Sequence, residues 1–193
     1  MRSLLTDALS LLDVCGGKAL DVGAGAGIET KALLAQGFDV LSVEPTPDSG
    51  KLIAQEIVRS NPEWLSRWEL ATLPIQDVGL ESSYFCCIYA GFSLPYCPPE
   101  VFGDVWSRLL KSLAPGGLIA VDLFGPDDSW AQESDISSVE RSWLEESLRG
   151  MQVHRLKEQA YWGKTFSGEK FWHTFELIAQ RPHKPLPTAA EVR

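Results

Sequence analysis

The sequence predicts a single α/β domain with a mostly parallel sheet and an antiparallel edge. Strand-like apolar runs alternate with helix-period segments up to residue 124, and two long strand-like segments then close the chain. Such alternation builds a parallel sheet covered by helices, and a terminal hairpin adds antiparallel strands to it. With 193 residues, the chain is long enough for one full core and short for two of ordinary size.

Leu4, Leu5, Ala8, Leu11 and Leu12 recur at helical spacing, and Gly16-Gly17 ends that helix before the first strand, Ala19-Leu20-Asp21-Val22. A glycine-rich loop leads to a helix over 28–35, stopped by Gly37, and to a second strand over 39–44. Thr46-Pro47-Asp48 starts a helix running to Arg59, because proline suits a first helical turn, and Asn61-Pro62 breaks it. A third strand lies over 68–73. The continuous apolar run 84–90 is a fourth strand buried on both faces, and Pro98-Pro99 opens a helix carrying Val101, Val105, Leu109, Leu110 and Leu113. Ala114-Pro115-Gly116-Gly117 turns the chain into a fifth strand over 118–124. A helix over 139–148 precedes strands over 153–161 and 170–180, joined by a loop over 163–168. The domain is expected to occupy residues 1–181, and the proline-rich stretch 182–193 to be a flexible tail.

Seventeen basic against 26 acidic residues give a formal charge of -9, which offers no attraction to a polyphosphate backbone and speaks against nucleic acid as a partner. Cys15, Cys86, Cys87 and Cys97 lack metal-ligand spacing and read as core thiols. His154, His173 and His183 read as packed or solvated rather than as ligands, and no metal is expected. No segment approaches the ~20 apolar residues of a membrane span, and the start of the chain lacks a leader pattern. A cytoplasmic protein with reduced thiols is expected.

Gly23, Gly25 and Gly27 lie between a strand and a helix, where a backbone without Cβ can approach a ligand and helix amides aim into the cleft. Ile28 stands where the third glycine of a nicotinamide-dinucleotide fingerprint would fall, which disfavours that site. Asp21 places a carboxylate at the end of the first strand, where a cationic amino acid moiety could be received. Glu44 closes the second strand, and a carboxylate there can accept both ribose hydroxyls of an adenosine. Gln76-Asp77-Val78 follows the third strand and offers an acceptor for an adenine amino group, with apolar walls from Val78 and Ile75.

Asp21-Val22-Gly23-Ala24-Gly25-Ala26-Gly27 resembles motif I of class I S-adenosylmethionine-dependent methyltransferases, and Glu44 resembles their ribose-binding acid. Leu113-Ala114-Pro115-Gly116-Gly117-Leu118 resembles the turn before their fifth strand, so the likeness covers residues 18–124. The segments 90–99 and 171–179 are similar to the small bacterial branch that includes tellurite-resistance methyltransferases. This resemblance implies a Rossmann-like sheet of seven strands in the order 3-2-1-4-5-7-6, with strand 7 antiparallel and helices on both faces. It implies S-adenosyl-L-methionine as cofactor and in-line methyl transfer to a small-molecule acceptor, by a monomer or homodimer without membrane attachment. The cofactor-binding set it implies is Asp21, Gly23, Ala24, Gly25, Gly27, Glu44, Pro45, Gln76, Asp77, Val78, Ala90 and Phe92.

Only a short segment precedes Asp21, so the loops after Phe92 and Phe124 supply the lid or the site stays open. Tyr161-Trp162 stands where the tellurite branch carries a His-Arg pair, which speaks against tellurite as acceptor. Phe92, Tyr96, Trp130 and Trp162 are the aromatic candidates for the sulfonium region, and Asp122 and Asp127-Asp128 the candidates to steer a cationic substrate. Two other readings compete: an NAD-dependent oxidoreductase, and a non-catalytic cofactor-binding or partner subunit.

Overall fold

The computed structural model describes residues 2–12, 16–165 and 168–183. In chain order its helices and strands are α1 (Ser3–Leu9), β1 (Gly17–Val22), α2 (Ile28–Ala35), β2 (Phe38–Val43), α3 (Ser49–Ser60), β3 (Trp68–Ala71), β4 (Phe85–Ala90), α4 (Pro99–Ser112), β5 (Leu113–Phe124), α5 (Arg141–Ser147), β6 (Gln152–Thr165) and β7 (Gly168–Gln180). The seven strands form one sheet in the order β3-β2-β1-β4-β5-β7-β6. β1 pairs in parallel with β2 and β4, β3 with β2, and β5 with β4, whereas β7 runs antiparallel to β5 and β6. The strand order and the antiparallel seventh strand are those the resemblance implies.

Side chains alternate across each strand, so the apolar runs of β4 and β5 feed two cores at once. Ile88, Ala90, Ile119 and Val121 pack with Trp106 and Leu109 of α4 and Leu144 of α5. Cys87, Tyr89, Leu118 and Ala120 pack on the other face with Leu5 of α1, Leu33 of α2 and Ile53 of α3. Parallel strands bring the ends of β1, β2 and β4 to one edge of the sheet, and the loops leaving that edge carry the candidate site.

The boundaries differ from the sequence reading most of all in three places. Helix α1 ends at Leu9, leaving Leu11 and Leu12 outside it but still against the core. β5 begins at Leu113, a residue expected in the preceding helix, and runs through the expected turn 114–117, because Gly116 donates to the Arg181 carbonyl (2.8 Å) and Arg181 donates to that of Gly117 (2.8 Å), while a register shift between Phe85 and Cys87 absorbs the extra residues. The terminal strands extend into the expected loop, β6 to Thr165 and β7 from Gly168, with Gly163 paired to Lys170. A side chain at Gly163 would meet the Trp172 indole at 2.9 Å, so glycine there serves packing rather than a turn.

Short 3-10 turns at Pro62–Arg67, Ile75–Asp77, Leu94–Tyr96 and Ser129–Gln132 carry no periodicity and were not expected. Cys87 and Cys97 are buried and Cys86 half-buried, all as free thiols, and burial pushes the Cys87 thiol up to about 12. Cys15 and the expected tail from residue 184 onward lie outside the described residues. Among the described residues no helix is long and apolar enough to cross a membrane, and no cluster of residues could hold a metal ion.

Trp106 is 2% exposed, stacks on Phe102 with ring centroids 6.4 Å apart, and donates its indole N–H to Ser147 (2.9 Å). Trp106→Ala is expected to destabilise the fold by about 3–5 kcal/mol, measured by urea unfolding. A loss below about 1 kcal/mol would mean that α4 does not depend on this packing.

Candidate active site

The glycine loop after β1 is shaped by backbone bonds. The N–H groups of Gly23 (2.7 Å) and Ala24 (3.2 Å) both donate to the Val43 carbonyl, and that of Gly27 to Ala24 (2.8 Å). Gly23, Gly25 and Gly27 all have positive φ, a conformation costly for residues with a Cβ. Their surroundings separate their roles. A Cβ at Gly23 would collide with Ser93, and one at Gly27 would lie 2.9 Å from Ile53, but one at Gly25 would meet nothing within 4 Å. The outer glycines are needed for packing, and the middle one leaves open space over its backbone.

Glu44, buried directly after β2, holds this loop. Its Oε2 accepts the N–H of Gly25 (2.9 Å) and its Oε1 that of Thr46 (3.0 Å). A carboxylate has about four lone-pair sites, so two acceptor positions remain after these bonds. Glu44 lines a cleft of about 250 Å³ with Val22, Gly23, Pro45, Ile75, Gln76, Ser93 and Tyr96. Ser93 closes its floor by donating to the Val22 carbonyl at 2.5 Å.

Of the residues singled out from sequence, Gly23, Glu44, Pro45 and Gln76 line this cleft, and Gly25 adjoins it through Glu44. Ala24, Val78 and Ala90 are buried in the two cores, Gly27 is the N-cap of α2, and Asp77 is exposed outside the lining. The carbonyls of Gln76 (2.9 Å) and Val78 both accept from the Arg108 guanidinium, which fixes this turn against α4. Phe92, with φ 55°, lines a neighbouring cavity instead.

Asp21 is buried beneath the loop and absent from the cleft lining, because it is spent on an internal network. Thr30 Oγ1 donates to Asp21 (2.6 Å) and stands 2.8 Å from Ser42 Oγ, which accepts the Trp68 indole N–H (3.0 Å). Since the single Thr30 hydroxyl proton goes to Asp21, Ser42 donates to Thr30 and the chain of donors is complete. No cation compensates Asp21, so burial pushes its carboxyl up to about 7, with the Thr30 hydrogen bond opposing the shift.

On the same sheet face, Asp122 of β5 is pushed up to about 6 by burial, with Arg2 opposing. Arg2 Nη2 lies 3.3 Å from Asp122 Oδ2, at an angle that satisfies the ion-pair distance but makes no hydrogen bond. The same guanidinium sits 4.5 Å over the Phe92 ring, and the Arg2 backbone N–H donates to Glu29 (3.1 Å). The short N-terminal segment thus reaches across this edge of the sheet, anchored by α1 packing on β5 and β7 and by Arg155 donating to Asp7 (2.9 Å). Tyr89 Oη and Asp122 Oδ2 are buried without a hydrogen-bond partner among the described residues.

A second cavity of about 480 Å³ adjoins the cleft, with Tyr96 lining both. Its walls are Phe92, Tyr96, Phe124, Trp130 and Trp172, with Lys164 and Thr165 at the hairpin side. Three of the four aromatic candidates from sequence are here, whereas Trp162 is 71% exposed and packs on Phe171 outside it. Phe124, Trp172 and Lys170 were not singled out. Lys170 and Trp172 alternate on β7 and so share a face, a period-two signal legible in the strand. Asp128 is not free to steer a substrate: it accepts from Lys170 (2.5 Å), from the Trp130 N–H (3.0 Å) and from the His173 N–H (3.0 Å). His173 is packed, its Nδ1 accepting the Asp127 N–H (3.2 Å) and its Nε2 therefore donating to Glu158 (2.9 Å).

The model of a methyltransferase-domain family matches residues 19–117, just over half of the chain, and the chain belongs to that family. No curated protein matches the sequence. Among solved structures, TehB from Haemophilus influenzae is similar at 15% identity and a TM-score of 0.78, over 94% of this chain and 62% of that one. An S-adenosylmethionine-dependent methyltransferase from Methanosarcina mazei is similar at 15% identity and 0.68, over 95% and 99%. The 1,6-didemethyltoxoflavin-N1-methyltransferase of Burkholderia thailandensis, solved with 1,6-didemethyltoxoflavin and S-adenosylhomocysteine bound, is similar at 19% identity and 0.62, over 93% and 79%. At these identities the likeness establishes the fold, and the chain spans less than two thirds of the TehB structure.

The buried Asp21 carboxyl generates a pH prediction. Between its ordinary value of 3.8 and about 7 the unfolded chain loses this proton while the folded one keeps it, so this contribution to stability is full below about pH 4 and is lost as pH rises through 7. Asp21→Asn does not titrate, so its unfolding free energy relative to the parent should rise from pH 4 to pH 7.5 in parallel urea titrations. A flat difference would place an ionised carboxylate at this position.

Proposed function

We propose that the chain transfers a methyl group from S-adenosylmethionine to a small-molecule acceptor, with the cofactor's adenosine in the Glu44 cleft and the acceptor in the aromatic cavity. The carrying observation is that these two cavities, one polar at its acidic end and one walled by rings, meet at Tyr96. The residues fit the cofactor. Gly25 has unfilled space over its backbone, Glu44 keeps two acceptor positions for a pair of ribose hydroxyls, and Ile75 and Pro45 offer apolar walls beside Gln76 for a base. Tyr89 Oη and Asp122 Oδ2 are orphaned polar atoms on the loop's side of the sheet, a position suited to a polar ligand tail. Bound there, the cofactor supplies an electrophilic methyl on a sulfonium.

The chain's own part is to position and to exclude water. Phe92, Phe124, Trp130 and Trp172 present carbon to the acceptor, while Tyr96 and Lys164 are the only titratable groups in the described lining. Burial raises Tyr96, so its phenol stays protonated near neutral pH and serves as a hydrogen-bond donor rather than a base. An acceptor that already carries a lone pair suits such a site, its proton leaving to solvent. We also infer a soluble cytoplasmic protein, monomeric or dimeric, that does not act on nucleic acid, in keeping with the charge of -9.

The direct test incubates the protein with methyl-deuterated cofactor and a metabolite extract and looks for a labelled product by mass spectrometry. Calorimetry should show S-adenosylhomocysteine binding and no binding of NADH, and the reverse would favour an oxidoreductase. Glu44→Ala is expected to weaken S-adenosylhomocysteine by about 1.5–3 kcal/mol. Because both Glu44 oxygens also hold backbone N–H groups, this variant should lose stability too, contrary to what an exposed strand-end acid would do. Gly25→Asn separates the two effects, since asparagine tolerates positive φ and fills only open space. Its melting temperature should stay near the parent's while binding fails, whereas Gly23→Asn should unfold first. Normal binding by Gly25→Asn would remove the loop from the site.

A further inference from the structure

A cavity walled by Phe92, Tyr96, Phe124, Trp130 and Trp172 has the composition of a cage for a cationic ligand, since aromatic faces attract positive charge. The cage is already filled from behind. The Lys170 ammonium, 4% exposed, lies 3.7 Å from the Trp130 ring centroid, 3.9 Å from that of Trp172 and 4.3 Å from that of Phe124. Three of the five walls thus spend their negative faces on an internal cation. Its counter-charge, Asp128, is fully buried and accepts from Lys170, the Trp130 N–H and the His173 N–H, so its charge is already neutralised inside the protein.

The other acids near the cavity do not compensate a cation either. Asp122 is buried beside the Arg2 guanidinium and outside the lining, Asp127 is solvent-exposed beside His173, and Glu133 is exposed and outside the lining. The one charged side chain in the described lining, Lys164, is itself positive. A second cation would therefore leave water for a cavity with an ammonium behind its walls and no carboxylate in its described lining, a losing exchange. A neutral ring system meets no such penalty. With an ammonium behind them, the walls present less negative faces to the cavity, which favours an electron-rich ring over a positively charged one. The walls themselves pack as tilted pairs, with Trp130 and Trp172 centroids 5.7 Å apart and Phe92 and Phe124 5.8 Å apart, leaving a space bounded by ring faces and edges that a flat molecule fills.

We infer that the aromatic cavity selects a flat, uncharged, electron-rich aromatic acceptor and rejects cationic amines, with the Lys170–Asp128 pair as the element that sets this preference. The inference rests on reading this cavity as the acceptor site, but its binding preference can be measured without methyl transfer.

Calorimetry on the full chain compares two bicyclic probes of similar size, 2-naphthol and the cation N-methylquinolinium. The expected result is at least tenfold tighter binding of 2-naphthol, lost by about tenfold in Trp130→Leu and in Trp172→Leu. Lys170→Met should narrow the gap between the probes, and if that variant does not fold, the comparison in the parent chain still decides. Equal or tighter binding of N-methylquinolinium, no binding of either probe, or 2-naphthol affinity unmoved by both tryptophan variants would overturn the inference. A parallel S-adenosylhomocysteine titration keeps the two readings apart. Cofactor binding without 2-naphthol binding sinks the acceptor preference alone, and 2-naphthol binding without cofactor binding upholds the preference while sinking the methyltransferase reading.

Discussion

The carboxylate of Glu44 ties the ends of two neighbouring strands together by accepting one N–H from the glycine loop after β1 and one from the segment after β2. A loop with three glycines at positive φ has few side chains of its own to fix it, so its shape has to come from bonds to its surroundings. The Val43 carbonyl supplies two of these and Glu44 the third. The open space over Gly25 and the wall formed by Pro45 lie on either side of that tie. Residues distant in sequence meet here because parallel strands, joined by crossovers, end at the same edge of the sheet.

Four other buried ionisable groups near this edge are handled in three ways, and each solution limits what the site can do. Asp21 is met by the hydroxyl and backbone N–H of Thr30 and by no cation, so burial holds its carboxyl well above the ordinary range. Asp122 has a cation beside it, but one that comes from the start of the chain and bonds it imperfectly. Lys170 and Asp128 form a short, fully buried pair whose remaining capacity goes to backbone N–H groups and aromatic faces. Among the described lining residues, Glu44 is the charged side chain of the cleft and Lys164 that of the aromatic cavity.

Asp128 also explains how the antiparallel edge becomes part of the site. It caps the Ser129–Gln132 turn that carries Trp130 and bonds the backbone of β7 at His173. This brings Trp130, from a loop, against Trp172, from a strand, with Phe124 at the end of β5 beneath them. The hairpin extends the sheet and at the same time supplies a wall of the aromatic cavity.

The sequence by itself determined the alternation of strands and helices, the glycine loop at the first crossover, and the acid that closes the second strand, because each is encoded by neighbours along the chain. It also placed Phe92, Tyr96 and Trp130 among the candidates, since all three follow strands at the edge where such sheets bind ligands. Only the tertiary structure decided that Gly25, and not Gly23 or Gly27, has free space, because that depends on whether Ser93 or Ile53 stands opposite. It turned Asp21 from a ligand acceptor into the end of a hydroxyl network, through Thr30 one helix away and Ser42 one strand away. It also moved Trp162 outside and Trp172 inside, and set Lys170 behind the rings. Burial and charge compensation are properties of residues that meet in space, and no local pattern records who those partners are.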